Sequence, residues 1–198
     1  LAYSLGYMVH TWEMNTFRAW VVTFLVFSAA YSGGGPNWAA PVAVATALAL
    51  AGIWASVSGN EIAIRIGRRK FILIVMFASM AMAATIGFAS VLSYEIVAVL
   101  CIVYGVLIWA DSASLTAGAV GSALPGQRAA TLAVHSTLGY AGGFAGPLVA
   151  GFILDSADGG TLAWGLAFAS VAAVLTIGPL ALFILRPKDL PGDRPGAL

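Results

Sequence analysis

Residues 59–70 read Gly-Asn-Glu-Ile-Ala-Ile-Arg-Ile-Gly-Arg-Arg-Lys, and this stretch holds four of the nine lysine and arginine residues of the chain. Long apolar runs lie on both sides of it. Basic connections between membrane helices stay on the cytoplasmic side of the bilayer, so a short and dense basic cluster orients its neighbours. The stretch is therefore predicted to be a cytoplasmic connection between two membrane spans.

The composition indicates an integral membrane protein. Hydrophobic residues make up 61% of the 198 residues and charged residues 9%, and the mean hydropathy is +0.95. Soluble domains have roughly 45–50% apolar and about 25% charged residues. The apolar runs last about 20 residues, which is the length of a membrane-crossing helix, and they do not alternate with period two as barrel strands do. The predicted fold class is all-α integral membrane.

Six transmembrane helices are predicted, near residues 3–30, 38–58, 70–92, 95–121, 129–155 and 161–186. With these spans, eight of the nine cationic residues fall on one side of the membrane. The positive-inside rule then places both ends of this segment in the cytoplasm, at the inner (plasma) membrane of the cell. Residues 187–198 contain Pro187, Pro191 and Pro195, which interrupt helices, and are predicted to form a mobile cytoplasmic tail. Because the chain opens with Leu1 instead of methionine, it is expected to be part of a longer protein.

The sequence lacks the residue patterns of several kinds of chemistry. The single cysteine, Cys101, lies in an apolar run, so neither a disulfide framework nor a cysteine metal cluster is available. There is no phosphate-binding Gly-x-x-x-x-Gly-Lys loop and no serine in a Gly-x-Ser-x-Gly setting. The net charge of +1 gives no indication of nucleic-acid binding. We therefore expect no enzymatic activity, no cofactor, no metal and no nucleic-acid partner.

The first predicted span contains ionisable side chains at membrane depth, namely His10, Glu13 and Arg18. Such groups cost at least about 2.5–3.5 kcal/mol each on insertion scales, so they normally face a bundle interior or a water-filled cavity. One interpretation is that these residues bind a substrate or a coupling proton. The alternative is that the start of this helix lies at the membrane interface, where Trp12 and Trp20 form an aromatic belt and Arg18 extends to water.

Two further ionisable residues lie in predicted spans. Asp111 is in the fourth span, where a buried carboxylate is a candidate proton carrier. The alternative for Asp111 is a structural acid that accepts hydrogen bonds from hydroxyl groups or backbone amides. His135, at the start of the fifth span, is interpreted as a structural or interfacial histidine rather than as a proton relay.

The fifth predicted span is rich in glycine. Gly142 and Gly146 place small residues along one helix face, which lets a neighbouring helix approach closely, and Gly139 and Gly143 extend this pattern. Pro147 removes a backbone donor and is predicted to bend the helix. Helix packing explains the glycines, and a bend near mid-membrane would also supply the hinge of a moving transporter.

The basic connection resembles the cytoplasmic loop signature of the major facilitator superfamily of secondary transporters, Gly-x-Leu-Ala-Asp-Arg-x-Gly-Arg-Arg. The matching positions are Arg65, Gly67, Arg68 and Arg69, while Ile64 stands where the signature has its acid. The resemblance implies that these four residues belong to a gating loop.

The glycine-rich span resembles the same family. Its pattern Gly142-x-x-x-Gly146-Pro147-x-x-Ala150-Gly151 is similar to the glycine-proline antiporter signature, which implies hinge and packing roles for Gly142, Gly146, Pro147 and Gly151. Residues 125–129 are similar to the family's loop before span eleven, and residues 6–20 to span seven of a bacterial branch. The resemblance covers nearly the whole chain and implies the fold of spans 7–12, the C-terminal six-helix half of a twelve-helix transporter.

In that family the transport cavity lies between two six-helix halves, which rock against each other in alternating access. The resemblance therefore implies a second six-helix half, either upstream in the same chain or in a second copy of it. The first span of each half lines the cavity, which would place His10, Glu13 and Arg18 there. Tyr140 is assigned to the cavity from its helical position.

These observations predict half of a secondary active transporter, proton-coupled or antiporter-like, that moves a small organic solute across the lipid bilayer. Arg18 would attract an anionic solute, and Glu13 or Asp111 would take up the coupling proton. The alternative is a non-transporting membrane scaffold or assembly partner on the same helical fold, in which the polar residues of the first span make protein contacts.

Overall fold

The computed structural model describes residues 1–35, 39–185 and 190–196. In these ranges the regular secondary structure is entirely helical, which confirms the all-α prediction. The predictions for residues 36–38, 186–189 and 197–198 lie outside the described residues. The helices are α1 (Ala2–Tyr31), α2 (Pro41–Ile66), α3 (Arg68–Ile86), α4 (Tyr94–Ala110), α5 (Ser112–Gly121), α6 (Arg128–Ser156), α7 (Gly160–Leu175) and α8 (Ile177–Ile184), with 3₁₀ turns at Gly87–Val91 and Pro191–Asp193.

Five helical segments among the described residues are long and apolar enough to cross a membrane. They are Pro41–Ile66, Arg68–Val91, Tyr94–Gly121, Arg128–Ser156 and Gly160–Ile184. Helix α1 has 30 residues, which is enough for a span, but Glu13, Arg18 and its other polar residues lower its hydropathy. The helices therefore have the lengths and composition of a multi-pass membrane protein.

The basic stretch does not form the loop that the sequence predicted. Helix α2 continues to Ile66 and α3 begins at Arg68, so Gly67 alone separates them. Gly67 has a φ of 95°, in a region that side-chain-bearing residues rarely adopt. The prediction ended the second span at residue 58, where the charges begin. The last turns of α2 tolerate charged residues, because Arg65 and Glu61 form an exposed i,i+4 ion pair of 3.1 Å.

Two spans that the sequence predicted as continuous helices are interrupted. The fourth span divides at Asp111, between α4 and α5, and the last span divides at Thr176, between α7 and α8. Pro147, in contrast, lies inside α6, which runs without interruption on both sides of it.

Helix α1 lies at the centre of the bundle. Its largest contact is with α6, and it also packs against α4, α5 and α8. Four buried aromatic residues join α1 to α7, with ring-centroid distances between 5.2 and 6.3 Å; they are Phe17, Phe24, Trp164 and Phe168. Because these rings are buried, they fix α1 in the bundle and with it the polar residues of its first half.

The described part of the tail is docked, which corrects the prediction of a mobile end. The carboxylate of Asp193 accepts hydrogen bonds from the Tyr3 hydroxyl at 2.6 Å and from Arg68 Nη1 at 2.5 Å. The amide of Gly196 donates to the carbonyl of Ile64 at 2.8 Å. These contacts hold residues 190–196 against the basic end of the bundle, which we define as the end where Arg68 lies.

Candidate functional site

The candidate site is built on the close contact between α1 and α6. Gly142 and Gly146 lie directly against the backbone of α1. A Cβ atom at Gly142 would collide with the carbonyl of Met8, and one at Gly146 would lie 2.6 Å from the carbonyl of Trp12. The missing side chains therefore allow the two helices to approach as closely as they do.

Hydrogen bonds and an aromatic contact reinforce this interface. The hydroxyl of Thr11 donates to the carbonyl of Gly139 at 2.7 Å, and the indole of Trp20 donates to the carbonyl of Pro147 at 3.0 Å. A Cβ atom at Gly151 would lie 2.9 Å from the Trp20 ring. The predicted packing and hinge residues thus all lie at or next to the contact with α1.

The first ionisable pair of the site joins α1 to the break between α4 and α5. His10 Nδ1 lies 3.0 Å from Asp111 Oδ1, and both side chains are almost completely buried. Neither ring nitrogen of His10 makes a well-directed hydrogen bond within the described part of the chain. Since the helix is interrupted at Asp111, its carboxylate is held at a turn instead of on a regular helical surface.

Glu13 lies deeper in the same region and is 3% exposed. Its carboxylate has Asp111, Ser79 and Tyr104 as neighbours. Among the described residues, no hydrogen bond of good geometry reaches Glu13 Oε1 or the hydroxyls of Ser79 and Tyr104. Unsatisfied buried polar groups are rare in proteins, and a functional role is one of the explanations for them.

An aromatic stack connects these acids to α6. The ring of Tyr7 stacks on His135 at a centroid distance of 4.0 Å and on His10 at 5.7 Å. His135 is 2% exposed and its Nε2 lies 3.3 Å from the hydroxyl of Thr116. A continuous series of polar side chains therefore runs from α6 through α1 to Asp111 and Glu13.

Two open grooves flank α1. The first lies between α1 and α6, has a volume of about 420 Å³, and is lined by polar residues that include Tyr7, Thr11, Asn15 and Tyr140. Tyr140 is 81% exposed, so its ring stands at the rim of this groove. Because Tyr7 belongs both to the groove and to the stack on His10, it connects open space with the buried acids.

The second groove lies between α1, α2 and α4 and has a volume of about 230 Å³. Arg18 and Trp109 line it, and the guanidinium carbon of Arg18 lies 5.9 Å from the centre of the Trp109 ring. Within the described ranges, no acidic side chain forms an ion pair with Arg18. The groove therefore contains an exposed positive charge beside an aromatic surface.

The structure divides the residues that the sequence grouped in one cavity. Arg18 and Tyr140 face the two grooves, whereas His10, Glu13 and Asp111 lie inside the helical bundle. The sequence predicts a structural role for His135 but does not indicate that Tyr7 lies between two histidines. The stack of Tyr7 on His135 requires the first turns of α6 to lie beside Tyr7. The glycine pattern of α6, which allows this close approach to α1, was the feature of the sequence that could have predicted the stack.

The three arginines assigned to a gating loop have three different partners. Arg65 pairs with Glu61 on the surface of α2, and Arg68 pairs with Asp193 of the tail. The guanidinium of Arg69 lies over the ring of Phe183, 5.7 Å from its centre. The tail acid Asp193 thus pairs with one of the basic residues of the connection between α2 and α3.

No family model and no curated protein sequence matches this chain. The described residues contain no group of three or more His, Cys, Asp or Glu side chains that could hold a metal ion.

Proposed function

We propose that this chain is one six-helix half of a secondary active transporter of the major facilitator type. It moves a small organic anion by alternating access, in proton-coupled transport or in exchange. The observation that carries the proposal is that α1 presents Arg18 to an open groove and holds Glu13 inside the bundle. The two residues lie less than two helical turns apart, so one helix contributes both an anion site and a proton site.

Arg18 supports the anion assignment. A charged side chain within a membrane helix is costly unless it faces a partner or a cavity. Arg18 faces a groove beside the ring of Trp109, and a guanidinium group can donate two N–H groups to a carboxylate or phosphate. The groove is large enough for a small organic molecule and would be completed by the second six-helix half.

The buried acids support proton coupling. A carboxylate that gains and loses a proton changes the charge of the bundle interior, and this changes the relative stability of the inward-facing and outward-facing states. Glu13 and Asp111 are such carboxylates, and His10 lies beside one of them. The stack of His10, Tyr7 and His135 supplies polar neighbours between these acids and the first groove.

The membrane orientation follows from the same proposal. With Arg65, Arg68 and Arg69 at one end of the bundle, the positive-inside rule places that end and the docked tail in the cytoplasm. The membrane is then the inner (plasma) membrane. A second six-helix half faces the two grooves beside α1.

The first test is the mass of the particle in detergent, measured together with the mass of the intact chain. We expect two six-helix bundles in each particle, because a single half does not enclose a cavity. A stable particle with one bundle would contradict the transporter proposal and favour a membrane scaffold.

The second test is solute uptake by proteoliposomes driven by a pH gradient, with organic anions as candidate substrates. We expect Glu13→Gln to abolish pH-driven uptake and to spare counterflow, because the neutral amide imitates a permanently protonated acid. Glu61→Gln is the matched control, since Glu61 is an exposed acid of α2 that pairs with Arg65. Unchanged pH dependence in Glu13→Gln would remove Glu13 from the coupling role.

A further inference from the structure

A third groove lies on the outer surface of the bundle, between the start of α3 and the end of α8, and has a volume of about 470 Å³. It is far along the chain from Arg18, and none of the residues in the proposed transport path lines it. Its mouth is at the basic end, where the docked tail borders it through Asp193 and Pro195. In a bundle that spans a membrane, this end lies where the bilayer meets water.

The mouth of the groove is positively charged. Arg69 and Lys70, in the first turn of α3, both line it. The Nε atom of Arg69 is buried and has no hydrogen-bond partner among the described residues. Asp193 also borders the mouth, but its two carboxylate oxygens already accept hydrogen bonds from Arg68 and Tyr3. The charges of Arg69 and Lys70 thus stay uncompensated by a neighbouring acid within the described part of the chain.

The rest of the groove is apolar and continues in one direction from this mouth. Leu73, Ile74 and Phe77 follow Lys70 along α3, and Phe183 of α8 forms the opposite wall. Since a helix rises about 1.5 Å per residue, Phe77 lies roughly 10 Å beyond Lys70 along the helix axis. Ile74, Phe77 and Phe183 are each about half exposed, which leaves an open channel along the membrane-facing surface.

We propose that this groove binds an anionic glycerophospholipid, with its phosphate at Arg69 and Lys70 and one acyl chain along Leu73, Ile74 and Phe77. Basic pockets between helices at the membrane surface favour anionic headgroups. A free phosphate ion would pair with the two cations but would leave the apolar walls uncovered. A lipid fits both parts of the groove, because its charged headgroup is followed by a hydrocarbon chain. The inference requires that the chain lie in a membrane and is independent of whether it transports a solute.

The test uses the purified full chain in detergent and measures lipid binding by native mass spectrometry. The probes are phosphatidylglycerol and phosphatidylcholine with identical acyl chains, together with inorganic phosphate as a competitor. We expect phosphatidylglycerol to bind roughly thirtyfold more tightly than phosphatidylcholine, because each of the two basic side chains near an anionic headgroup contributes about 1 kcal/mol. Inorganic phosphate at millimolar concentration should not displace it, because the acyl chain supplies much of the binding energy.

The double variant Arg69→Gln, Lys70→Gln should lose the preference for phosphatidylglycerol and should bind phosphatidylcholine as the unaltered protein does. Arg65→Gln is the matched control, because Arg65 is a nearby arginine that pairs with Glu61 and does not line the groove. Equal binding of the two lipids by the unaltered protein would overturn the proposal. Retention of the preference in the double variant would also overturn it, and displacement by inorganic phosphate would reassign the site to a free anion.

A second measurement does not depend on the folding of a variant. Phosphatidylglycerol with a photoreactive group on its acyl chain should label peptides that contain residues 73–77 of α3 or Phe183 of α8. Labelling confined to other helices would contradict the proposed position of the lipid.

Discussion

The carboxylate of Asp193 accepts a hydrogen bond from Arg68 at 2.5 Å, across 125 residues of chain. The side chains of Asp193 and Arg68 are 7% and 13% exposed, so the pair is shielded from water although it lies at the end of the bundle. The second oxygen of Asp193 accepts the hydroxyl hydrogen of Tyr3. One acid therefore ties the tail to the starts of α1 and α3.

Asp193→Asn should destabilise the protein by about 2–4 kcal/mol, because a shielded Arg68 would lose its counter-charge. The measurement is thermal unfolding in detergent. Glu61→Gln removes an ion pair whose members are more than half exposed, and it should cost no more than about 0.5 kcal/mol. Equal losses in the two variants would show that the Asp193 pair contributes no more than a surface contact.

The α1–α6 interface should tolerate no added methyl group at Gly142. The Cβ of alanine there would collide with the backbone carbonyl of Met8, which cannot move aside as the end of a side chain could. We expect Gly142→Ala to destabilise the bundle by about 1–3 kcal/mol in the same assay.

Gly121→Ala is the control for Gly142→Ala, because the nearest atoms to its Cβ, from Leu190 and Arg68, lie at 3.7 and 4.0 Å. It should be neutral or slightly stabilising, since alanine favours helix more than glycine does. If Gly142→Ala were as well tolerated as Gly121→Ala, close packing of α6 on α1 would not explain the glycine.

The His10 and Asp111 side chains should be energetically coupled. Removing one partner leaves the other buried, so His10→Gln and Asp111→Asn should each reduce stability, while the double variant should lose less than the sum. A double-mutant cycle of the unfolding free energies should give a coupling of about 1–3 kcal/mol. Strict additivity would indicate that the 3.0 Å approach of these residues contributes nothing to stability.

Arg18 should determine anion affinity if the proposed substrate class is correct. Arg18→Ala should weaken binding at least about tenfold, the effect of losing a charge-assisted hydrogen bond. Arg18→Lys should restore part of the affinity, since lysine keeps the charge but not the planar two-donor geometry. Isothermal titration with a transported anion is the measurement, and equal affinity in all three proteins would discard Arg18 as the anion site.

Hydropathy was sufficient to predict the helical fold and the approximate positions of most helices. An uninterrupted apolar run of about 20 residues favours a helix over other secondary structures. It failed at residues 59–66, where charged side chains lie on a helix that extends beyond its apolar part. It also missed the interruption at Asp111, since no glycine or proline marks that position. Both errors have the same cause. The hydropathy of a segment indicates whether it lies in an apolar or a polar environment, but it does not indicate where its backbone begins or ends a helix.

The candidate site was predicted in part. Residue types identified Arg18, Glu13 and Asp111 as unusual for a membrane segment, but a single sequence does not show which of them share a surface. The pairing of His10 with Asp111 and the stacking of Tyr7 between two histidines depend on contacts between helices distant in sequence. The docking of the tail depends on an acid that follows several helix-breaking residues, a composition that by itself suggested a free end.

Gly67 has a mechanical consequence for the basic end. Since peptide bonds are planar, the connection between α2 and α3 contains essentially two rotatable angles, the φ and ψ of one residue. Two helices joined in this way can pivot about a point, but they cannot slide past each other or separate. Any displacement of α3 relative to α2 is therefore a rotation about Gly67. A Cβ atom at Gly67 would lie 3.1 Å from the carbonyl oxygen of Asp193, so the docked tail lies beside this pivot.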